Sequence, residues 1–215
     1  MKRLKHIGWI IFSVIVTTIF AYYGYELVMA RINTPIIVSN ILSSEVIDFP
    51  LNALSFERQA ALLKIEDPSF YSHRGVDFIT PGAGWTTITQ NLAKHFYFDN
   101  FQQGFMKIKQ TLCAWLALDP LVDKQTQLTI YINTAYFGNG AVGLKDAAAT
   151  YFDKEVSALT DDEFLSLIAS LINPNELNIR DHPQENEQRV RRIHKLLSGE
   201  YTPTSLFDIT YDGAD

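Results

Sequence analysis

The pattern of apolar and polar positions begins with one long apolar run, from residue 7 to about residue 30. Two lysines, an arginine and a histidine precede this run, and small or aromatic residues interrupt it far more often than charges do. A helix needs about 20 apolar residues to cross a bilayer, so residues 1–30 are predicted to form a transmembrane anchor. Basic flanks stay in the cytoplasm, which predicts a cytoplasmic N-terminus and an extracytoplasmic remainder.

A cleaved signal peptide is the alternative interpretation of the same segment. Val28, Met29 and Ala30 could form its cleavage site. However, the run is longer than the 7–15 residues typical of a signal-peptide core. Tyrosines also cluster near its end, as they do at membrane interfaces. The uncleaved anchor is therefore the favoured prediction.

The pattern changes twice after the anchor. Residues 31–50 show no sustained periodicity and are predicted to be an extended tether, whereas residues 51–200 repeat apolar positions at helical spacing. The first predicted helix has its N-cap at Ser55 and ends at Glu66 or Asp67. Two further helices are predicted over Phe101–Asp119 and, as a short one, over Ala147–Phe152. Other helices are predicted to start at Thr87, Asp123, Thr160 and Pro183, and the last of these ends at Gly199. No convincing strand is predicted, and residues 201–215 are expected to be a frayed acidic tail. The fold class is therefore predicted to be mainly α.

The predicted helix over residues 101–119 carries apolar residues on two faces. One stripe contains Phe105, Ile108, Leu112 and Trp115, and the second contains Met106, Gln110, Cys113 and Ala117. A helix that is apolar on two faces is expected in the centre of a domain rather than at its surface.

Composition excludes several function classes. The net charge is −6, the pI is near 5.3, and no block of basic residues occurs, so a nucleic-acid partner is not predicted. The single cysteine, Cys113, permits no internal disulfide and is expected to be a buried, inert thiol. No histidine pair has the spacing of a zinc-binding motif, so no metal-ligating residues are predicted.

Two adjacent carboxylates mark the first candidate site. Glu66 and Asp67 stand directly before Pro68, and a proline disfavours the α conformation in the residue before it. Both acids are therefore expected at a helix C-terminus, where the macrodipole disfavours negative charge. A raised carboxylate pKa suits a general acid or base, although solvated charges at a helix end are the commoner situation.

A breaker-rich loop over residues 78–85 leads into the second candidate site. Thr87 and Gln90 have the spacing of a capping box. A helix start behind a glycine-rich loop can bind an anion such as a phosphate through its free N–H groups. The alternative is that the motif only caps the helix.

Several motifs together resemble those of the family-51 peptidoglycan glycosyltransferases, which are lysozyme-like, membrane-anchored enzymes that polymerise lipid II. The matching residues, in the order of the family's signatures, are Glu66, Asp67, Phe70, His73, Gly75 and Asp77; then Gly84, Thr86 to Gln90, Leu92 and Lys94; then Lys107, Gln110, Ala114, Leu118 and Asp119; then Tyr131 to Asn133, Phe137, Gly138, Gly140, Gly143, Ala147, Ala148, Tyr151 and Phe152. The resemblance spans about Leu51 to Arg192.

The resemblance implies a lysozyme-like helical glycosyltransferase domain on a bacterial inner membrane, with lipid II as substrate and cell-wall synthesis proteins as further partners. It implies that Glu66 acts as the general base and that Gln110 occupies the position of the family's second glutamate. It also implies substrate-binding roles for Asp67, Phe70, His73, Thr87, Thr89, Gln90, Lys94, Lys107 and Lys109. No cofactor is required, although a divalent cation on the substrate's pyrophosphate is compatible with the family.

The chain departs from the family pattern in ways that leave other functions open. Gln110 stands where a glutamate is usual, Met106 replaces an arginine whose charge Lys109 could supply, and the stretch from His73 to Gly84 is short. These changes suggest a silent protein that binds a lipid-linked saccharide or a cell-wall enzyme. A lytic glycan hydrolase is a third hypothesis, which the lysines expected beside a pyrophosphate disfavour.

Overall fold

The structure, a computed structural model, describes residues 2–102 and 104–215, with side chains from residue 5 onward. Met1 of the predicted anchor and Gln103 of the predicted helix over residues 101–119 lie outside the described residues. The helices are α1 Lys2–Leu42, α2 Phe56–Glu66, α3 Ile88–Tyr97, α4 Phe105–Cys113, α5 Asp119–Leu121, α6 Lys124–Thr134, α7 Leu144–Phe152, α8 Asp161–Ser170 and α9 Pro183–Ser198. A π-helical turn, Ala114–Leu118, joins α4 to α5. The prediction of a mainly α fold is confirmed.

The capping residues act as their positions in the sequence predict. The Ser55 and Asp123 side chains accept hydrogen bonds from the first turns of α2 and α6. Thr87 and Thr160 each form a complete capping box with the residue three positions later. Gly199 ends α9 in the left-handed conformation. Local side-chain chemistry therefore sets the starts of four of the nine helices in the described residues.

Helix α1 overturns the prediction of an extended tether over residues 31–50. The helix continues to Leu42 through Pro35, although a proline inside a helix costs about 3 kcal/mol. Thr34 is fully buried and shares a 2.6 Å hydrogen bond with the Tyr97 hydroxyl, and the Arg31 guanidinium donates to the Leu116 carbonyl. These tertiary contacts hold this part of the chain helical. Within α1, residues 5–42 are long and apolar enough to cross a membrane.

The predicted helix over residues 101–119 is also revised. It begins as an α-helix only at Phe105 and changes to the π-helical turn at Ala114. The second apolar stripe is largely buried, but Phe105 is 85% exposed and Ile108 and Trp115 are about half exposed. The prediction that both faces are buried is therefore wrong. Cys113, on the buried stripe, is free and buried.

A small hairpin occurs where no strand was predicted. Strand β1, Tyr136–Gly138, pairs antiparallel with β2, Ala141–Val142, through an irregular register. Gly138 has a φ of +92°, and a side chain there would meet the Pro174 carbonyl oxygen at 2.5 Å. Two strands this short carry too little periodicity to be read from the sequence.

The C-terminal segment, residues 203–215, is packed rather than frayed. Tyr211 is fully buried, and the Arg192 guanidinium on α9 pairs with Asp212 and Asp215. The expectation of a frayed acidic tail came from its charge alone, and it fails because α9 supplies the compensating cation.

Candidate active site

A cleft of about 1070 Å³ lies between the C-terminus of α2 and helices α3, α4, α6 and α9. Its polar and charged lining comprises Glu66, Thr86, Thr87, Asn91, Lys94, His95, Lys107, Gln110, Tyr131, Tyr136 and Arg189. Among the described lining residues, Glu66 is the only carboxylate, and it faces several basic side chains. The chain is acidic as a whole, so the basic character of this cleft is local.

Glu66 is the last residue of α2, and the sequence predicts this end correctly. One carboxylate oxygen accepts a hydrogen bond from the Tyr131 hydroxyl at 3.0 Å. Desolvation within the cleft raises the pKa of Glu66 from 4.5 to about 7, although Arg189 and the Tyr131 hydrogen bond oppose the rise. A carboxylate with this pKa can accept a proton near neutral pH.

Asp67 is fully buried and turned away from the cleft. Its carboxylate lies 3.0 Å from Nε2 of His73 and accepts the Ile88 backbone N–H at 2.9 Å. The side chain therefore joins the end of α2 to the start of α3. This arrangement fixes the backbone on which Glu66 stands.

The same hydrogen bonds overturn the expectation that the start of α3 is a free anion site. The Asp67 carboxylate accepts a hydrogen bond from the Ile88 N–H, and the Thr87 hydroxyl oxygen accepts one from the Gln90 N–H at 3.1 Å. Two of the donors at the helix start are thus occupied by the protein's own acceptors. Any anion in the cleft would rely mainly on the basic side chains.

Lys107 on α4 and Lys94 on α3 supply positive charge to the cleft. The Lys107 ammonium donates to the Thr86 hydroxyl at 2.8 Å, which holds it beside the glycine-rich loop. Burial, with a smaller contribution from Lys94, lowers the pKa of Lys107 from 10.5 to about 8. Lys107 is therefore charged at neutral pH and loses its charge at mildly alkaline pH.

Gln110 lines the cleft but is only 1% exposed. Its amide nitrogen donates to the Gln90 carbonyl at 2.7 Å, and its Oε1 has no partner among the described residues. A side-chain amide neither gains nor loses charge near neutral pH. The cleft therefore combines one titratable carboxylate with one neutral amide.

The structure brings together only part of the predicted site. The residues that line the cleft are Glu66, Thr87, Lys94, Lys107 and Gln110, whereas Asp67, Phe70, His73, Thr89, Gln90 and Lys109 lie outside it. Phe70 is 1% exposed in the core, and the Thr89 hydroxyl donates to the Gln127 side chain at 2.7 Å. These outer residues support the cleft rather than face it.

Lys109 points toward the anchor instead of the cleft. Its ammonium lies 2.5 Å from the Glu26 carboxylate on α1 and 4.7 Å from the centre of the Phe98 ring. The expectation that Lys109 replaces the missing positive charge near Gln110 is therefore wrong. Lys107 and Lys109 are two positions apart on a helix, which directs their side chains to different faces.

Sequence reasoning missed the cleft roles of Tyr131, Arg189 and Ile209. Tyr131 was recognised only as part of a motif, and no role was predicted for Arg189. Arg189 is 4% exposed and donates to two backbone carbonyls, whereas Arg191, two positions further along α9, pairs with Glu187. The apolar residues around Arg189, Val190 and Ile193 at helical spacing, were the available signal.

The described residues contain no group of three or more histidine, cysteine, aspartate or glutamate side chains that could hold a metal ion. The cleft therefore offers no ligand set of its own for a divalent cation.

The sequence is similar to those of known proteins. A family model described as Transglycosylase matches residues 37–198. Penicillin-binding protein 2a of Streptococcus pneumoniae (strain ATCC BAA-255 / R6) is 34% identical over 148 residues, covering 65% of this chain and 20% of the relative. Penicillin-binding protein 1F of Bacillus subtilis (strain 168) is 31% identical over 161 residues, covering 69% of this chain and 22% of the relative.

Penicillin-binding protein 1A of Vibrio cholerae (serotype O1, strain ATCC 39315 / El Tor Inaba N16961) is 28% identical over 245 aligned positions, covering 97% of this chain and 29% of the relative. The chain thus spans between a fifth and a third of the length of these curated relatives.

Proposed function

The chain belongs to the transglycosylase family of peptidoglycan glycosyltransferases, and we propose that it polymerises lipid II with Glu66 as the general base. The observation that carries the proposal is the placement of Glu66 and two lysines in one cleft. Glu66 has a pKa of about 7, and Lys94 and Lys107 line the same cleft.

In the proposed reaction, the Glu66 carboxylate takes the proton from the 4-hydroxyl of an incoming lipid II. The oxygen attacks the anomeric carbon of the growing strand, and the bond from that carbon to the polyprenyl pyrophosphate breaks with inversion. Lys94 and Lys107 bind the departing pyrophosphate and stabilise its negative charge. A positioned general base contributes about 10²–10⁴-fold to such a rate.

The Tyr131 hydroxyl and the Asp67 carboxylate contribute by holding the base in place. Tyr131 donates to Glu66, and Asp67 joins α2 to α3. Both contacts restrict the carboxylate to one direction across the cleft, which supports general-base catalysis because reaction rates depend steeply on alignment.

The long apolar helix supports a location in the bacterial cytoplasmic membrane. In the proposed topology, α1 crosses the membrane once, the basic N-terminus is cytoplasmic, and the cleft faces the extracytoplasmic side. The cleft would then meet lipid II where its saccharide leaves the bilayer. Cell-wall synthesis proteins are the expected partners of such an enzyme.

The test is polymerisation of lipid II by the purified full chain in detergent, with and without a divalent cation. Glu66→Gln is expected to lower the rate at least 100-fold, because the amide cannot accept the proton. Glu57→Gln, an exposed glutamate on the same helix, is the matched control and should leave the rate unchanged. Equal rates for Glu66→Gln and the unmutated chain would exclude Glu66 as the base.

Gln110 favours a second candidate function. With a buried amide in place of a second acid, the chain could bind a lipid-linked saccharide without transferring it. Binding of lipid II without glycan chains, from a folded protein, would support this function. Fragments released from purified cell wall would instead indicate a hydrolase.

A further inference from the structure

Arg189 on α9 is a buried cation in the wall of the cleft. Its Nε donates to the Ala169 carbonyl at 3.1 Å, and its Nη1 donates to the Ile209 carbonyl at 2.8 Å. The guanidinium also lies over the Tyr211 ring, 5.3 Å from its centre. All of these contact partners are neutral, and the carboxylates whose charge acts on the guanidinium are Glu66 and, more weakly, Asp212.

The C-terminal segment, residues 203–215, supplies two of these three contacts and reaches the base by another route. The Tyr211 hydroxyl donates to the Ile65 carbonyl at 3.1 Å, directly beside Glu66. Ile65 lies in the last turn of α2, where backbone carbonyls lack partners within the helix. The segment thereby connects the guanidinium to the backbone that carries the base.

The same segment holds the glycine-rich loop that lines the cleft. The Gly82 N–H donates to the Ser205 carbonyl at 2.9 Å, and the Gly84 N–H donates to the Leu206 carbonyl at 2.8 Å. Trp85 stacks on Phe207 with ring centres 4.6 Å apart. The C-terminal segment therefore supports the cleft at two places, the glycine-rich loop and Arg189.

A buried cation without an anionic partner is costly unless a negative charge lies near it. Among the described ion pairs, none includes Arg189, and the carboxylate that shares the cleft lining with it is Glu66. The guanidinium counters the rise in the pKa of Glu66 that desolvation causes. The interaction therefore acts through space and favours the ionised, basic form of Glu66.

We propose that Arg189, seated by the C-terminal segment, is a positioning residue that acts through Glu66 and keeps this carboxylate in its basic form. This inference rests on the proposed function, since it assigns the charge that Glu66 needs in order to act as the base. It also gives the packed C-terminal segment a role in the reaction.

Other groups also act on Glu66 and must be separated from Arg189. Asp67, adjacent in the chain, raises the pKa of Glu66, and the Tyr131 hydrogen bond lowers it. The remaining titratable and charged groups of the cleft around Glu66 are Lys94 and His95 on α3, Lys107 on α4, Tyr136 on β1 and Tyr211 on the C-terminal segment. None of these is changed in a variant at position 189.

The first measurement is an NMR titration of the Glu66 carboxyl carbon in the full, ¹³C-labelled chain in detergent, with Glu66→Gln used to assign the signal. Arg189→Met is expected to move the midpoint upward by about one pH unit, because it removes a nearby opposite charge. Arg189→Gln, which can still donate to a carbonyl, is the second neutral variant. Arg189→Lys, which retains a charge, should return the midpoint toward that of the unmutated chain.

Arg191→Met is the matched control, because Arg191 lies two positions away on α9 and pairs with Glu187. It should leave the midpoint unchanged. An unchanged midpoint in a folded Arg189→Met or Arg189→Gln variant would overturn the inference and leave Arg189 as a purely structural cation.

The second measurement is the pH dependence of lipid II polymerisation. The pH midpoint of the acidic limb of kcat/KM should rise by the same amount as the NMR midpoint. Activity at pH 6 should therefore fall about tenfold in the neutral variants. A rise in KM without a shift of the limb would show that Arg189 binds substrate directly, against the inference. If the NMR midpoint of Glu66 shifts in the Arg189 variants but the unmutated chain never polymerises lipid II, the Arg189–Glu66 coupling is supported and the proposed function is rejected.

Discussion

At the scale of single residues, the cleft makes the Glu66 carboxyl harder to ionise and the Lys107 ammonium easier to neutralise than the same groups in water. Desolvation acts on both groups, raising the pKa of Glu66 to about 7 and lowering that of Lys107 to about 8. The proposed mechanism needs Glu66 ionised, which holds above about pH 7. It also needs Lys107 protonated, which holds below about pH 8.

We therefore expect polymerisation to have a narrow pH optimum between about 7 and 8. In Lys107→Arg, the acidic limb of the activity profile should be unchanged, and the loss of activity above pH 8 should disappear. The reason is that a guanidinium stays charged in this range. The measurement is kcat/KM for lipid II from pH 5 to pH 10.

Lys64→Arg serves as the control for this profile, since Lys64 is an exposed lysine on α2. Its pH dependence should match that of the unmutated chain. An alkaline limb that persists unchanged in Lys107→Arg would show that another group controls it.

At the scale of elements, Gly75 determines how closely the loop after α2 can approach the π-helical turn. It has a φ of +81°, and an added Cβ would lie 2.5 Å from the Ala114 carbonyl oxygen. The Gly75 carbonyl also accepts the Thr87 hydroxyl at 2.7 Å. This one close approach therefore joins the end of α2, the start of α3 and the turn after α4.

Gly75→Ala is expected to destabilise the domain by about 3 kcal/mol or more, since backbone strain and a backbone clash add. Gly140→Ala is the matched control, because Gly140 has a similar φ of +82° with nothing within 4 Å of an added Cβ. This control should lower the free energy of unfolding by only about 1–2 kcal/mol, from the conformational strain of an alanine at positive φ. Thermal unfolding of both variants in detergent measures the difference, and equal losses would contradict the proposed clash.

At the scale of the whole molecule, the exposed apolar stripe on α4 and the π-helical turn lies beside α1. The Tyr23 hydroxyl donates to the Phe105 carbonyl at 3.3 Å, so Phe105 is level with a residue inside the long apolar run. Ile108 and Trp115 continue the exposed stripe. Exposed apolar surface next to a membrane span is expected to lie in the bilayer interface rather than in water.

We predict that Trp115 contacts lipid and that Trp85, on the rim of the cleft, does not. Two single-tryptophan variants, each with the other two tryptophans changed to phenylalanine, are reconstituted into vesicles that contain brominated lipids. The Trp115 emission should be strongly quenched and the Trp85 emission much less. Equal quenching of the two would place the stripe outside the bilayer.

The sequence by itself determined the features that depend on neighbours within about four residues. The caps at Ser55, Thr87, Asp123 and Thr160, the end of α2 at Glu66 and the apolar span of α1 all follow from local hydrogen bonding and helical periodicity. The resemblance to a family likewise rests on short motifs. These features fixed the fold class and the identity of the candidate base.

Only the tertiary structure decided which charges compensate one another and which faces are buried. Lys109 turns to Glu26, Asp67 occupies the start of α3, and Arg189 joins the cleft through the C-terminal segment. Residues 31–42 are helical because α1 packs on the domain, despite Pro35. Each of these outcomes depends on partners far apart in the chain, and local pattern carries no information about such partners.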